Sequence, residues 1–308
     1  MTTLTANKNS FSQLKSYLVN YTFILPAVII FTIFYVIPFY KIFQLSMHEW
    51  NGISLSMYHV GFENFTELMT DSVWWKSMWN AAYITLIALT FQNALAFALA
   101  LACDREMRMK RFYRVVFFIP PVLSEVVVGK IWRWILDASK QGGEYYGLLN
   151  YWFSQIGLNH MVNDWLSDPQ TALSCIALVH CWKGFGWGFI MLLAGLQTID
   201  KQLYEAARVD GAGSWHTFWN VTIPMMIPVI LVVVILTILG SMQVFILVMS
   251  MVSQGLGYHT EVPVTRILAE MQGTKRFGYA CAMGVNFGLI LISISAFFKI
   301  ISNKLKQA

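Results

Sequence analysis

Charge is scarce in this sequence. Asp, Glu, Lys and Arg make up 12% of its 308 residues, against 57% hydrophobic. Soluble domains carry about 25% charged residues, so there is too little charge here to cover a globule of this size in water. A mean hydropathy of +0.56 agrees. The expectation is an all-α polytopic membrane protein. No lipid-facing alternation of apolar and polar residues is visible, which argues against a β-barrel. The net charge of +5 is modest. It fits Lys and Arg in cytoplasmic loops, not a nucleic-acid-binding surface.

Reactive patterns are also absent. Cys103, Cys175, Cys181 and Cys281 form no C-x-x-C pair and lie in or beside apolar runs, as small buried hydrophobes do. No G-x-x-x-x-G-K-[ST] phosphate loop is present, so ATP hydrolysis by that route is excluded. His48-Glu49 lacks the second His of H-E-x-x-H, and no G-x-S-x-G turn occurs. Neither a metal site nor a convergent catalytic set is expected, and the chain reads as a pathway builder instead of an enzyme. The polar start, MTTLTANKNSFSQLK, has no cleavage pattern, so the first apolar run reads as a retained span.

What the sequence does have is long apolar runs. A span needs about 20 residues, and six runs qualify: 21–43, 81–103, 115–136, 172–196, 225–249 and 278–301. The third is interrupted by Pro120, Pro121, Glu125, Lys130 and Arg133. The densest basic cluster, Arg105, Arg108, Lys110, Arg111 and Arg114, follows the second run and sets that loop in the cytoplasm. Both termini then face inward, with Lys8 and Lys15 at one end and Lys299, Lys304 and Lys306 at the other. The loops at 44–80 and 137–171 are external, acidic and rich in Trp and Tyr. Short interfacial helices are expected there, and Trp74, Trp75 and Trp79 read as an aromatic belt. The loop holding Arg266, Lys275 and Arg276 goes against the charge rule.

Between the fourth and fifth runs lies a polar stretch, YEAARVDGAGSWHTFWNVTIP, at 204–224. Asp200 is placed to cap a helix over KQLYEAARVD. Gly211 and Gly213 permit the left-handed backbone that ends it. Ser214 is placed to cap a second helix, and Pro224 suits the first turn of the next span. Two short helices joined at an angle are expected.

These residues resemble a known signature. Glu205-Ala206-Ala207, three residues, Gly211, nine residues, then Val221-Thr222-Ile223-Pro224 is similar to the E-A-A-x₃-G-x₉-I-x-L-P pattern of ABC importer permeases. Further matches run along the chain: LPA in the first run, VGFENF (60–65), FFIPPVLS (117–124), YGLLN (146–150), LLAGLQTI (192–199) and FGYACAM (277–283). Together they resemble the carbohydrate branch, and the first of its two permease subunits. Two departures stand out: Ile199-Asp200 replaces the usual Ile-Pro, and SQGLGY (253–258) lacks the usual proline of the last external loop.

The resemblance implies a type I ABC importer (MetI-like) permease fold: one domain over 1–308, with a cytoplasmic tail at 1–18 and a coupling segment at 197–224. It implies a heterodimer with a second permease of the same motif, two copies of an ATPase subunit that bind ATP and Mg, and an extracytoplasmic solute-binding protein. No cofactor is implied on this chain. It assigns Glu205, Ala206, Ala207, Asp210 and Gly211 to ATPase coupling: Glu205 offers a charge, the alanines allow close approach, and Gly211 sets the bend. An ordinary amphipathic loop helix is the competing reading of the same stretch.

A transport pathway needs polar and aromatic groups at mid-membrane. His180, Lys183, Gly184 and Trp187 fall at i, i+3, i+4 and i+7 on one helical face. Thr237, Gly240, Ser241 and Val244 repeat the spacing. Ionisable groups at that depth usually face a bundle interior or a water-filled cavity. The Trp187 ring suits stacking on a sugar's C–H face, His180, Lys183 and Ser241 suit hydrogen bonds to its hydroxyls, and Lys183 also suits an acidic sugar; the resemblance implies that these positions line a sugar site. Helix packing through Gly, Ser and Thr is the alternative. Glu125 has several candidate roles: pairing with a partner residue, lining the path, or contacting Lys183 or Lys130. An ion-coupled carrier and an intramembrane enzyme are the other classes. The first would need coupling carboxylates and no ATPase dock, and the second a catalytic set.

Overall fold

The computed structural model describes residues 6–105, 108–252 and 259–305. The expected contact loop at 253–258 lies outside the described residues. Contacts cluster into two units: Met1–Met69 with Glu270–Asn286, and Thr70–Ala269 with Phe287–Ala308.

In the first unit, helix α1 (Ala6–Phe31) runs through a π-helical turn, Thr32–Val36, into α2 (Ile37–Ser46). The apolar length is Val19–Ser46, and of its residues only Ser46 is buried. Pro38 explains the turn. Proline has no N–H to give the carbonyl four residues back, and the wider turn instead bonds the Ile37 N–H to the Thr32 carbonyl. Beyond α2 come a two-stranded hairpin, β1 (His48–Glu49) with β2 (Tyr58–His59), and helix α3 (Glu63–Thr70). Asn64, in the VGFENF motif, donates to the carbonyls of Ser46 at 2.9 Å and His48 at 3.1 Å, and so closes the end of α2. The Arg276 guanidinium grips Glu67 through two bonds, at 2.7 and 2.6 Å. These bonds raise the Arg276 pKa above its ordinary value.

The second unit opens at α4 (Ser72–Ile87), whose N-terminal N–H groups at Val73 and Trp74 bond to the Asp71 carboxylate. A π-helical turn, Ala88–Gln92, leads into α5 (Asn93–Asp104). Trp74 is fully buried in the core, unlike Trp75 and Trp79, so the expected belt holds only its two exposed members. The third run is not one straight span. It is α6 (Lys110–Val122) and α7 (Glu125–Ile135), bent by 93°. Pro120 and Pro121 remove two helical donors, and Leu123 and Ser124 adopt extended backbone. A hairpin, β3 (Lys140–Gln141) with β4 (Glu144–Tyr145), and helix α8 (Leu148–Gln155) fill the following loop.

Helix α9 (Ala172–Leu196) matches the fourth run end to end. After α10 (Lys201–Val209), α11 (Ser214–Thr217) passes through a π-helical turn, Phe218–Thr222, into α12 (Ile223–Met242). Two separate elements were expected here, a short helix and a span starting at Pro224. One continuous length, Ser214–Met242, is found. The π-helical turn absorbs Pro224 by bonding the Ile223 N–H to the Phe218 carbonyl. The fifth run overshoots: the chain turns at 243–245 and resumes as α13 (Ile246–Met251), which packs on α7. No Gly or Pro marks that turn, so apolarity alone carries the run through it. Helices α14 (Pro263–Gln272) and α15 (Phe277–Leu305) complete the chain. Among the described residues, five helices are long and apolar enough to span, or six if the α6–α7 pair is one span.

The core of the second unit joins α5, α9 and α12 through Ala96, Ala100, Phe189, Leu193 and Met226. Lipid is as apolar as these side chains, so close van der Waals packing holds the helices together. Small residues on α5 allow it.

Candidate functional site

A cavity of about 300 Å³ lies among α9, α12, the second π-helical turn and the start of α7. Both predicted helical faces point into it. His180, Lys183, Gly184 and Trp187 line it from α9, and Thr237, Gly240 and Ser241 from α12. Val244 does not. Helix α12 ends at Met242, so the helical phase that would carry Val244 onto this face is lost, and its side chain is buried in the turn.

The lining is cross-linked by polar contacts. His180 Nε2 lies 3.0 Å from Ser241 Oγ, tying α9 to α12. The Thr237 hydroxyl donates to Asn93 Oδ1 at 3.0 Å, tying α12 to α5. Lys183 Nζ lies 3.5 Å from Glu125 Oε1, so of the roles open to Glu125 two are seen together: it pairs with Lys183 and it lines the cavity. Trp187 is 59% exposed. Its ring meets Phe118 edge-on, with centroids 5.4 Å apart, and its other surface remains open.

Gln92 and Asn93 were not read from the sequence. Gln92 is 6% exposed and lines the cavity, yet its Oε1 has no hydrogen-bond partner. Asn93 Nδ2 is also unpartnered. A buried amide oxygen without a donor costs about 1–3 kcal/mol, so Gln92 holds an unused acceptor at the cavity wall. The π-helical turn that ends at Gln92 sets this pair in place, and such turns recur at functional sites. The only sequence signal was two adjacent amides inside an apolar run. Gly184 is small for a reason: a Cβ there would stand 2.6 Å from Gln92 Oε1.

At the far end of the same helices lies the polar stretch. The Asp200 side chain caps α10 as expected, accepting from the Gln202 N–H at 2.9 Å. The end of α10 is a Schellman motif: the Ala212 N–H bonds to the Ala207 carbonyl at 2.9 Å and the Gly211 N–H to the Arg208 carbonyl at 3.1 Å. Gly211 takes φ +77°, where a side chain would be strained. Gly213 does not share that role. Its φ is −70°, and it is the residue before α11. Ser214 is the first residue of that helix, not its cap.

Tyr204 Oη lies 3.2 Å from Thr222 Oγ1, which holds α10 against the root of α12. Glu205, Ala206, Asp210 and Gly211 are exposed, and Ala207 is half-buried. Ala207, Asp210 and Gly211 border a groove of about 590 Å³ that continues along His216 and Asn220. Val209, at 87% exposure, and Trp215, at 74%, flank it as uncovered apolar groups.

Residues 94–307 match the profile of the family described as binding-protein-dependent transport system inner membrane component. The chain is 30% identical to the diacetylchitobiose uptake system permease protein NgcF of Streptomyces coelicolor, over 87% of this chain and 77% of that one. It is also 30% identical to the sulfoquinovosyl glycerol transport system permease protein SmoG of Agrobacterium fabrum, over 91% and 89%. Its fold is similar to a chain in the crystal structure of a bacterial ABC transporter involved in the import of the acidic polysaccharide alginate. There the TM-score is 0.81 at 24% identity, covering 96% of this chain and 99% of that one.

Proposed function

The chain belongs to the binding-protein-dependent transport system inner membrane component family, a multi-pass permease of the inner membrane and a transport subunit, not a catalyst; on that premise we propose that its cargo is a sugar or oligosaccharide. An extracytoplasmic binding protein delivers the cargo, and a second permease with the same motif completes the pathway. ATP and Mg are bound by two copies of a separate ATPase subunit. Relatives named for diacetylchitobiose and sulfoquinovosyl glycerol support the cargo class.

One observation carries this reading. Helices α9 and α12 bear a polar, aromatic cavity at one level and the exposed α10 turn at their other end. At 1.5 Å per residue, about 20 Å of continuous helix separates them. A push on α10 reaches the cavity through rigid rods that share a packed core. Glu205, Ala206, Ala207, Asp210 and Gly211 form the docking surface for the ATPase. Trp187 stacks on a pyranose face, while His180, Lys183, Thr237 and Ser241, spaced by Gly184 and Gly240, present polar groups to the hydroxyls.

The test is a reconstituted complex carrying Glu205→Lys. Basal ATP hydrolysis should persist while binding-protein-stimulated uptake falls about tenfold or more, the scale on which losing a desolvated charge contact acts. Full uptake by this variant would remove the docking role. Trp187→Ala combined with Lys183→Ala should lower uptake with membrane insertion unchanged.

A further inference from the structure

The cavity described above is lined by two charged side chains, Glu125 and Lys183, and they face each other at 3.5 Å. Lys183 alone would give the cavity a cationic wall suited to an acidic sugar. The Glu125 carboxylate offsets that charge. It is the first residue of α7, where the helix N-terminus favours a negative group. We infer that Glu125 sets the charge selectivity of this cavity, making it a site for uncharged saccharides and disfavouring uronate-bearing ones.

The hydrogen-bonding inventory points the same way. An ammonium has three donors, and turning one towards Glu125 in the ion pair leaves two for a ligand. The carboxylate keeps spare acceptor sites, and Gln92 Oε1 adds an acceptor with no partner. A sugar hydroxyl both donates and accepts, so it matches this mixture. A carboxylate only accepts, and it would meet the lone pairs of Gln92 and the negative charge of Glu125. The pair is also only partly withdrawn from solvent, with side-chain exposures of 16% for Lys183 and 41% for Glu125. A ligand entering the cavity therefore displaces water from both groups and strengthens their field.

This inference rests on the cavity being the saccharide site, and the experiment separates the two claims. The full complex, in nanodiscs and without the binding protein, is titrated calorimetrically with a neutral trisaccharide and with its counterpart oxidised at C6 to the uronate. The wild type is expected to bind the neutral ligand more tightly. Glu125→Gln should shift the ratio of the two Kd values towards the uronate by about tenfold, the scale of one half-exposed unit charge. Lys183→Gln should shift the ratio the opposite way, and the double variant should return it close to wild type. An unchanged ratio in the single variants, or a wild type that prefers the uronate, overturns the inference. In the first case the pair is only a clamp between α7 and α9, and lower thermal stability alone would report it. Absence of binding by either ligand to the wild type overturns the cavity reading itself.

Discussion

At the scale of single residues, the cavity shows how small changes separate packing from recognition. Gly184 sits against the far end of the Gln92 side chain, a group free to swing away. Gly184→Ala is therefore expected to alter thermal stability by less than about 1 kcal/mol, since relaxation is cheap. It should still weaken saccharide binding about fivefold, because the displaced amide oxygen is the unpartnered acceptor. Thermal unfolding and ligand titration on the same preparation check this. Comparable losses in both would make Gly184 a packing residue alone. His180, Lys183, Trp187 and Ser241 were legible because helical spacing puts polar and aromatic groups on one face. Gln92 was not, because nothing in an apolar run announces which turn will be wide. Val244 failed for the complementary reason: spacing arguments hold only while the helix continues.

At the scale of elements, the caps of α10 were readable from local chemistry. Asp200 accepts from a first-turn N–H, and Gly211 occupies the left-handed position. Where proline is usual in the resembling permeases, Asp200 supplies a hydrogen bond instead of a fixed dihedral. Asp200→Ala should cost about 1 kcal/mol of local helix stability. It should lower the coupling ratio of transport to ATP hydrolysis in the reconstituted complex, and Asp200→Ser should restore it. A coupling ratio unchanged by Asp200→Ala would mean that docking alone orders the helix. Elements whose ends lacked a local marker were harder to read. Helix α9 matched its run because polar residues close both ends. The break after α12 carries only the single polar Gln243, and Val244 and Phe245 after it are as apolar as the helices beside them.

At the scale of the whole molecule, the bend of 93° between α6 and α7 decides the parity of the crossings. If the pair crosses the bilayer once, there are six spans and the termini share a side. If it enters and returns, there are five and they do not. The basic cluster from Arg105 to Arg114 and the Lys residues near both ends favour six. Green fluorescent protein fused at the C-terminus should therefore fluoresce, and alkaline phosphatase inserted near Gly157 should be active. A dark C-terminal fusion with an inactive phosphatase near Gly157 would establish the re-entrant arrangement. The same count explains the limit of hydropathy: it measures the length of an apolar run but not its direction.

The π-helical turn at 218–222 has one further consequence. It falls inside the nine-residue spacer and the residues that follow, between Gly211 and Pro224. Each residue of an α-helix advances the chain by about 100° and 1.5 Å. A wide turn is in effect one residue inserted into that screw. Taking a residue out of it would leave α12 intact yet rotate α10 by about a quarter of a circle around the shaft, swinging its exposed face off its bearing. The fixed spacing of this signature is thus an angular setting, much like the keyway that times a gear on its axle.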